Sequence, residues 1–354
     1  MRLDERVSVM NKKILPVMFL GLVLFSLTGC GNKNENVNLA MSSIEELKYD
    51  EASQYLDQAV AASENERLIN RARGLVAMGS ADYEEAVNYF TAALQGSNGK
   101  VLDFDFDTSY YLAAAEYKLG DYKAAEKTYS AIIGLRPKDS IAYFLRGTSY
   151  ISEDLKDEAL RDFNSAIDMD SKNPDLYMRI FESLDNAGYT EEGQDYLDRA
   201  KALDVKLSDL QKGRLFYCSG DYEEARNFLE KARMAGDDSA VLYLGRTYEE
   251  LGDLNYAASL YKTYLEKYPG DTLICNQLGL CELSFGDYPE ALKAFEEGLM
   301  ADDGSIRQTL RFNEIVAYEY MSDFKKAAVL MQGYLADYPD DENAKREYNF
   351  LKTR

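Results

Sequence analysis

The chain has 354 residues, a net charge of −22 and a pI near 4.5, and 46% of its residues are apolar. That apolar share is ordinary for a folded protein and argues against wholesale disorder, while the acidic field repels nucleic acid and anionic lipid headgroups. Histidine is absent, which excludes Ser-His-Asp and Cys-His catalysis and every histidine-containing zinc site.

In chain order the first element reads as an address. Arg2, Asp4, Glu5 and Arg6 precede Met10-Asn11-Lys12-Lys13, then come the apolar run 14–27 and Thr28-Gly29-Cys30. That run is too short for a bilayer core of ~30 Å at ~1.5 Å per residue. Its layout predicts a secretory signal with a basic start, a short apolar stretch and small residues before the cut. Met10 is a second candidate start. Leu27-Thr28-Gly29-Cys30 resembles the bacterial lipoprotein lipobox. The resemblance implies that residues 1–29 are removed and that Cys30 is lipidated as the mature N-terminus. Two acyl chains hold a membrane stably where one does not. Residues 30–37 then form a polar tether. The removed segment carries four basic and two acidic residues, so the mature chain stands at −24. Such a body is expected to be tethered through its lipid and not adsorbed. The expected location is the extracytoplasmic face of the cell membrane, or the periplasmic side of an outer membrane where the host has one. Gly31 stands where an aspartate usually signals inner-membrane retention.

The body of the chain follows a fixed ruler. A small residue and an alanine stand twelve apart at Gly74–Ala86, Ala113–Ala125, Gly147–Ala159, Gly213–Ala225, Gly245–Ala257 and Gly279–Ala291. Around one such pair lie Val241-Leu242-Tyr243-Leu244-Gly245-Arg246-Thr247-Tyr248, Gly252, Tyr261 and Pro269, a spacing that resembles the tetratricopeptide repeat. The resemblance implies an all-α solenoid of stacked antiparallel helix pairs with a right-handed superhelix. About nine units are expected across 38–340, beginning near 33, 67, 106, 140, 174, 206, 238, 272 and 308, with a capping helix at 341–354. Small residues where the helices cross, Gly245 against Ala257, predict close approach. The aromatic residue four after the alanine is expected to fill space toward the next unit. A single hairpin cannot bury its apolar stripe, so the units must stack.

Punctuation recurs with the ruler. Gly-Asp-Tyr stands at 120–122, 220–222 and 286–288, with relatives at Ala81-Asp82-Tyr83, Gly252-Asp253-Leu254 and Ser322-Asp323-Phe324. The glycine is expected to end the first helix of a pair with φ > 0 and the aspartate to cap the second. Asp82–Glu85, Asp221–Glu224 and Asp287–Glu290 match a close variant of the capping box. Departures are few. Gly193 replaces the alanine in the fifth unit, Tyr264 and Tyr334 fill a usually small position, and the first unit rests on Ala52, Leu56 and Ala59. Segment 94–107, with Gly96, Ser97 and Gly99, is predicted as a loop.

Candidate chemistry is sparse. Asp103-Phe104-Asp105-Phe106-Asp107 suggests a metal loop, but Thr108 and Ala114 occupy the places where an EF-hand needs glycine and glutamate. Cys275 and Cys281 lie about 9 Å apart along one predicted helix at ~1.5 Å per residue, beyond disulfide reach. Carboxylate pairs such as Glu223-Glu224 and Asp302-Asp303 follow from composition. No catalytic residue, metal or cofactor is expected.

The resemblance further implies that the first helix of each pair lines an inner groove for an extended peptide. The matching positions carry Tyr110, Tyr117, Phe144, Ile151, Met178, Arg214, Tyr217, Arg246 and Phe312. The family's Lys/Asn/Arg clamp for a terminal carboxylate is not matched. Aromatics with arginines suit an apolar or acidic segment. The expected function is a non-catalytic protein-interaction scaffold or adaptor in the bacterial envelope, with a protein partner, no nucleic acid, and membrane contact through the lipid alone. The alternatives are an envelope enzyme acting on glycan or peptide through groove carboxylates, and a small-ligand sensor.

Overall fold

The computed structural model describes residues 33–95, 101–301, 306–339 and 341–354. Cys30 and its leader, Gly96, Ser97, Gly99, Asp302 and Asp303 lie outside the described residues. Every regular element among the described residues is a helix. The first four pairs are α1 (Glu35–Glu45) with α2 (Tyr49–Ala61), α3 (Glu66–Gly79) with α4 (Tyr83–Gln95), α5 (Asp103–Leu119) with α6 (Tyr122–Leu135), and α7 (Ser140–Ser152) with α8 (Lys156–Met169). Then come α9 (Pro174–Asn186) with α10 (Thr190–Lys201), α11 (Asp209–Cys218) with α12 (Tyr222–Met234), and α13 (Ala240–Glu250) with α14 (Leu254–Lys267). The chain ends with α15 (Thr272–Phe285) and α16 (Tyr288–Ala301), α17 (Arg307–Tyr320) and α18 (Phe324–Asp337), and a single α19 (Glu342–Leu351). The described residues fall into two compact units, 33–190 and 191–354, with α9 in the first and α10 from its second residue in the second.

The turns follow from local chemistry. Gly120 and Gly286 end α5 and α15 at φ 85° and 79°, where a side chain would be strained. The aspartate that follows such a turn residue then caps the next helix. Asp82 accepts from the Glu85 N–H at 3.1 Å, Asp121 from Ala124 at 3.0 Å, Asp253 from Tyr256 at 3.1 Å, and Asp323 from Lys326 at 3.0 Å. Asp221 differs, standing at the N-cap of α12 without a side-chain cap bond. In the related turns Ala81 and Ser322 take the left-handed conformation themselves, at φ 58° and 62°.

The glycine of the ruler has a different neighbour from the expected one. A Cβ on Gly245 would lie 2.2 Å from the Tyr261 ring, one on Gly279 2.3 Å from Phe295, and one on Gly74 2.5 Å from Phe90. The aromatic residue four after the alanine therefore sits on the glycine of its own hairpin and, as expected, also packs toward the next repeat, Phe295 with Leu310 and Phe90 with Tyr111. The missing side chain is the socket for the ring. Phe90, Phe163, Tyr261 and Phe295 are all fully buried, each worth about 1.5–3 kcal/mol in apolar burial. In the ninth pair Ile315 takes the glycine position, and a flexible Met331 replaces the ring; both are buried.

Core clusters bridge neighbouring pairs. Ala113, Ala125, Tyr129, Ile132 and Ile133 of α5 and α6 pack with Ala142 of α7. Phe295 and Ala291 of α16 share a cluster with Leu310 and Val316 of α17. The last pair is closed by Ala344 and Leu351 of α19. Tyr264 and Tyr334, the departures from a small residue, acquire a role here. Their hydroxyls donate to Asp271 at 3.1 Å and Asp341 at 2.8 Å, the N-cap residues of α15 and α19.

The Asp-Phe-Asp-Phe-Asp segment forms the first turns of α5, not a loop. Arg67 pairs with Asp105 and lies over the Phe104 ring at 4.7 Å, while Arg136 pairs with Asp103 at 2.6 Å and lies over Phe106 at 3.5 Å. The carboxylates thus face arginines of two different neighbours and do not converge on one point. Among the described residues no group of three or more Cys, Asp or Glu side chains is placed to hold a metal ion.

Candidate functional site

In the N-terminal unit the predicted groove residues are engaged between helices. The half-buried Tyr110 ring lies 6.2 Å from Tyr129, and the Tyr117 ring 5.1 Å from Tyr122, with its hydroxyl 2.8 Å from Ser152 Oγ. Burial pushes the Tyr117 phenol up to about 12, against the pull of the Ser152 hydrogen bond. Phe144 is 5% exposed and packs 5.8 Å from Phe163, with the Arg179 guanidinium 4.3 Å above its ring. Ile151 and Met178 are buried.

In the C-terminal unit two predicted residues, Arg214 and Tyr217, meet at Tyr243, which was not among the predictions. Arg214 lies 4.9 Å over the Tyr243 ring, and Tyr217 meets the same ring edge-on at 5.6 Å. Arg246 stands one helical turn beyond Tyr243 on α13. Arg214 and Arg246 each follow the ruler glycine of their repeat, so α11 and α13 present them in the same register. All four residues are half-buried. Burial raises the Tyr217 phenol, which stays protonated at neutral pH and can both donate and accept. Phe312 lies apart on α17, packed edge-on against Tyr334 at 5.7 Å.

Beneath the cluster runs a hydrogen-bonded polar chain that sequence reasoning also missed. Tyr261 donates to Glu249 at 2.6 Å, and the Gln277 amide donates to both Glu249 oxygens at 3.5 and 3.4 Å. Asn276 Nδ2 donates to Gln277 at 3.2 Å, and Asn313 Nδ2 donates to Asn276 at 2.8 Å. Asn276, Gln277 and Asn313 are 0–2% exposed, so these amides are satisfied by each other and by Glu249. Burial pushes the Glu249 carboxyl up, partly offset by the Tyr261 hydrogen bond and Arg246. The one signal in the sequence was the Asn276-Gln277 pair set between the apolar runs 273–275 and 278–281.

The thiols of Cys275 and Cys281 are free and buried, and burial pushes Cys275 up to about 12. They are inert at neutral pH. Among the described residues no helix is long and apolar enough to cross a membrane.

Comparison with known proteins agrees with this architecture. Three family profiles, each described as tetratricopeptide repeat, match residues 77–146 with 219–274, residues 38–101, and residues 141–173. Together they span more than half of the chain. The TPR repeat-containing protein YpiA of Bacillus subtilis (strain 168) is 24% identical over 288 residues, 72% of this chain and 68% of that protein. The BBSome complex member bbs-4 of Caenorhabditis elegans is 25% identical over 194 residues, 51% of this chain and 41% of that protein, so the match spans less than half of that relative. Among solved structures, a tetratricopeptide repeat protein from Parabacteroides merdae ATCC 43184 is 15% identical, covering 80% of this chain and 97% of its own, with a TM-score of 0.44. The chain belongs to the tetratricopeptide repeat family, whose members are generally protein-interaction scaffolds.

Proposed function

We propose that the chain is a lipid-anchored scaffold of the bacterial cell envelope, held through Cys30, that binds another protein on the inner face of its repeats and catalyses nothing. The observation that carries the binding role is the meeting of Arg214 and Tyr217 of one first helix at the Tyr243 ring of the next, with Arg246 one turn further along that helix. Tyrosine and arginine are the residues that dominate binding energy at protein interfaces, and here they share one half-buried surface. The anchor and the location rest on Leu27-Thr28-Gly29-Cys30 after the apolar run.

Two experiments test the proposal. Cells fed a labelled fatty acid are expected to label the wild-type chain and not Cys30→Ser, which leaves the membrane fraction. Affinity capture from solubilised envelopes is expected to recover a partner that Tyr217→Ala and Arg246→Ala both lose. An unlabelled wild-type chain defeats the anchor. Identical capture by all three proteins defeats the binding face.

A further inference from the structure

Arg246 lies half-buried on α13 near Tyr217, Tyr243 and Tyr261. Among the described residues no hydrogen bond or ion pair holds its guanidinium. Burial disfavours the cation, but its surroundings, Glu249 among them, outweigh that and keep the guanidinium charged. Two acids stand one helical turn away; Glu250 is exposed, and Glu249 turns elsewhere. It takes the Tyr261 hydroxyl at 2.6 Å and the Gln277 amide at 3.5 and 3.4 Å, with the Cys281 thiol at 3.9 Å. Gln277 is held in turn by Asn276, and Asn276 by Asn313. This buried chain engages the Glu249 carboxylate in hydrogen bonds of its own, so that it makes none to its neighbouring guanidinium. In a protein of net charge −22, Arg214 and Arg246 bring two cations to the neighbourhood of Tyr217 and Tyr243, where Glu249 and Glu250 also act.

We propose that Arg246, flanked by Arg214 and the rings of Tyr217 and Tyr243, receives the side-chain carboxylate of an aspartate or glutamate in an extended segment of the partner protein. The buried chain from Tyr261 to Asn313 prevents Glu249 from occupying that place first. The inference rests on the reading of this face as the partner-binding surface. A guanidinium matches a carboxylate through paired, directional hydrogen bonds, and the tyrosine rings supply rigid contact area beside it. Glu249, Tyr261 and Gln277 are positioning residues, since they act through Arg246 and not on the ligand.

The test uses the purified full-length chain in detergent and an array of random decapeptides, acetylated and amidated so that no terminal carboxylate is present, with phosphoserine counterparts. Bound peptides are expected to share an aspartate or glutamate. Replacing it by the matching amide should weaken binding about thirtyfold, as should Arg246→Gln, the scale of an interface hot spot. The two losses should not add, because they remove the same contact. Tyr261→Phe keeps the ring but frees Glu249, so it should weaken binding, and Glu249→Gln in the same chain should restore it. Arg214→Gln provides a second variant if Arg246→Gln fails to fold. Bound peptides lacking an acid, a preference for phosphoserine, or Arg246→Gln binding like wild type would overturn the proposal. If such peptides still depend on Tyr217, the binding face stands and only the carboxylate reading falls. If no peptide binds and no envelope protein is captured, both fall.

Discussion

At Gly245 the space that a Cβ would take is already filled by the Tyr261 ring. Gly245→Ala is therefore expected to cost about 1–3 kcal/mol through overpacking. The cost should shrink in a Tyr261→Leu background, because the first repeat buries the same alanine–leucine combination at Ala40 and Leu56. Chemical denaturation of the four variants measures this directly. The opposite sign is expected at Ala81 and Ser322, which hold φ near 60°. Replacing either by glycine should stabilise by about 0.5–1 kcal/mol, the relief of left-handed strain less the added freedom of the unfolded chain. The glycine–alanine spacing was legible because the same contact must be made in every hairpin. What the glycine touches was not, since spacing fixes the face of a helix but not the side chain opposite it. Tyr243 was hidden for the same reason. A tyrosine next to a core leucine gives no sign that its ring gathers residues from the preceding repeat.

Whole helices are held by single carboxylates at their starts. Glu64, from the turn between α2 and α3, accepts from the backbone N–H of Asn36 and Val37 at 3.0 Å each and from the Asn36 amide at 2.7 Å. Burial pushes its carboxyl up, but these three hydrogen bonds outweigh it and hold the group below its ordinary value. The folded state then binds fewer protons than the unfolded one. The contribution is complete above the ordinary carboxylate range, about pH 4, and is lost as pH falls through the lowered value. Unfolding curves of wild type and Glu64→Gln should differ at neutral pH and converge in acid. At the other end of the chain, Tyr334→Phe removes the hydroxyl that donates to Asp341 and accepts from Gln308 at 3.0 Å. Hydrogen exchange in α19 should accelerate while α15 is unchanged. Both helices belong to stretches where sequence patterning is thin. The first helix carries only Val37, Ala40 and Ile44 in the core, and the pin that fixes it comes from a residue 28 positions away. The amide chain under the arginine cluster shows the same limit, because its links join residues 28 and 37 positions apart.

For the molecule as a whole, repeat architecture makes stability a sum of near-neighbour terms. Two compact units divide the described residues at 190 and 191, and the arginine–tyrosine cluster with its polar support lies wholly in the second. The fragment 191–354 is therefore expected to keep a helical circular dichroism spectrum and whatever ligand affinity depends on Arg246. The repeat architecture was plain in the sequence over most of the chain, because successive hairpins repeat one set of steric demands. The partner was not, because a binding surface obeys the shape of something outside the chain.

The most direct measurement places a photocrosslinking residue in living cells at position 217 in the cluster, and, as a control, at position 234, where Met234 is 77% exposed at the end of α12. A discrete protein adduct is expected from position 217, absent from position 234 and lost when Arg246→Gln is added. Equal adducts from the two positions, or an adduct from 217 that ignores Arg246, would contradict the assignment of this face as the binding surface.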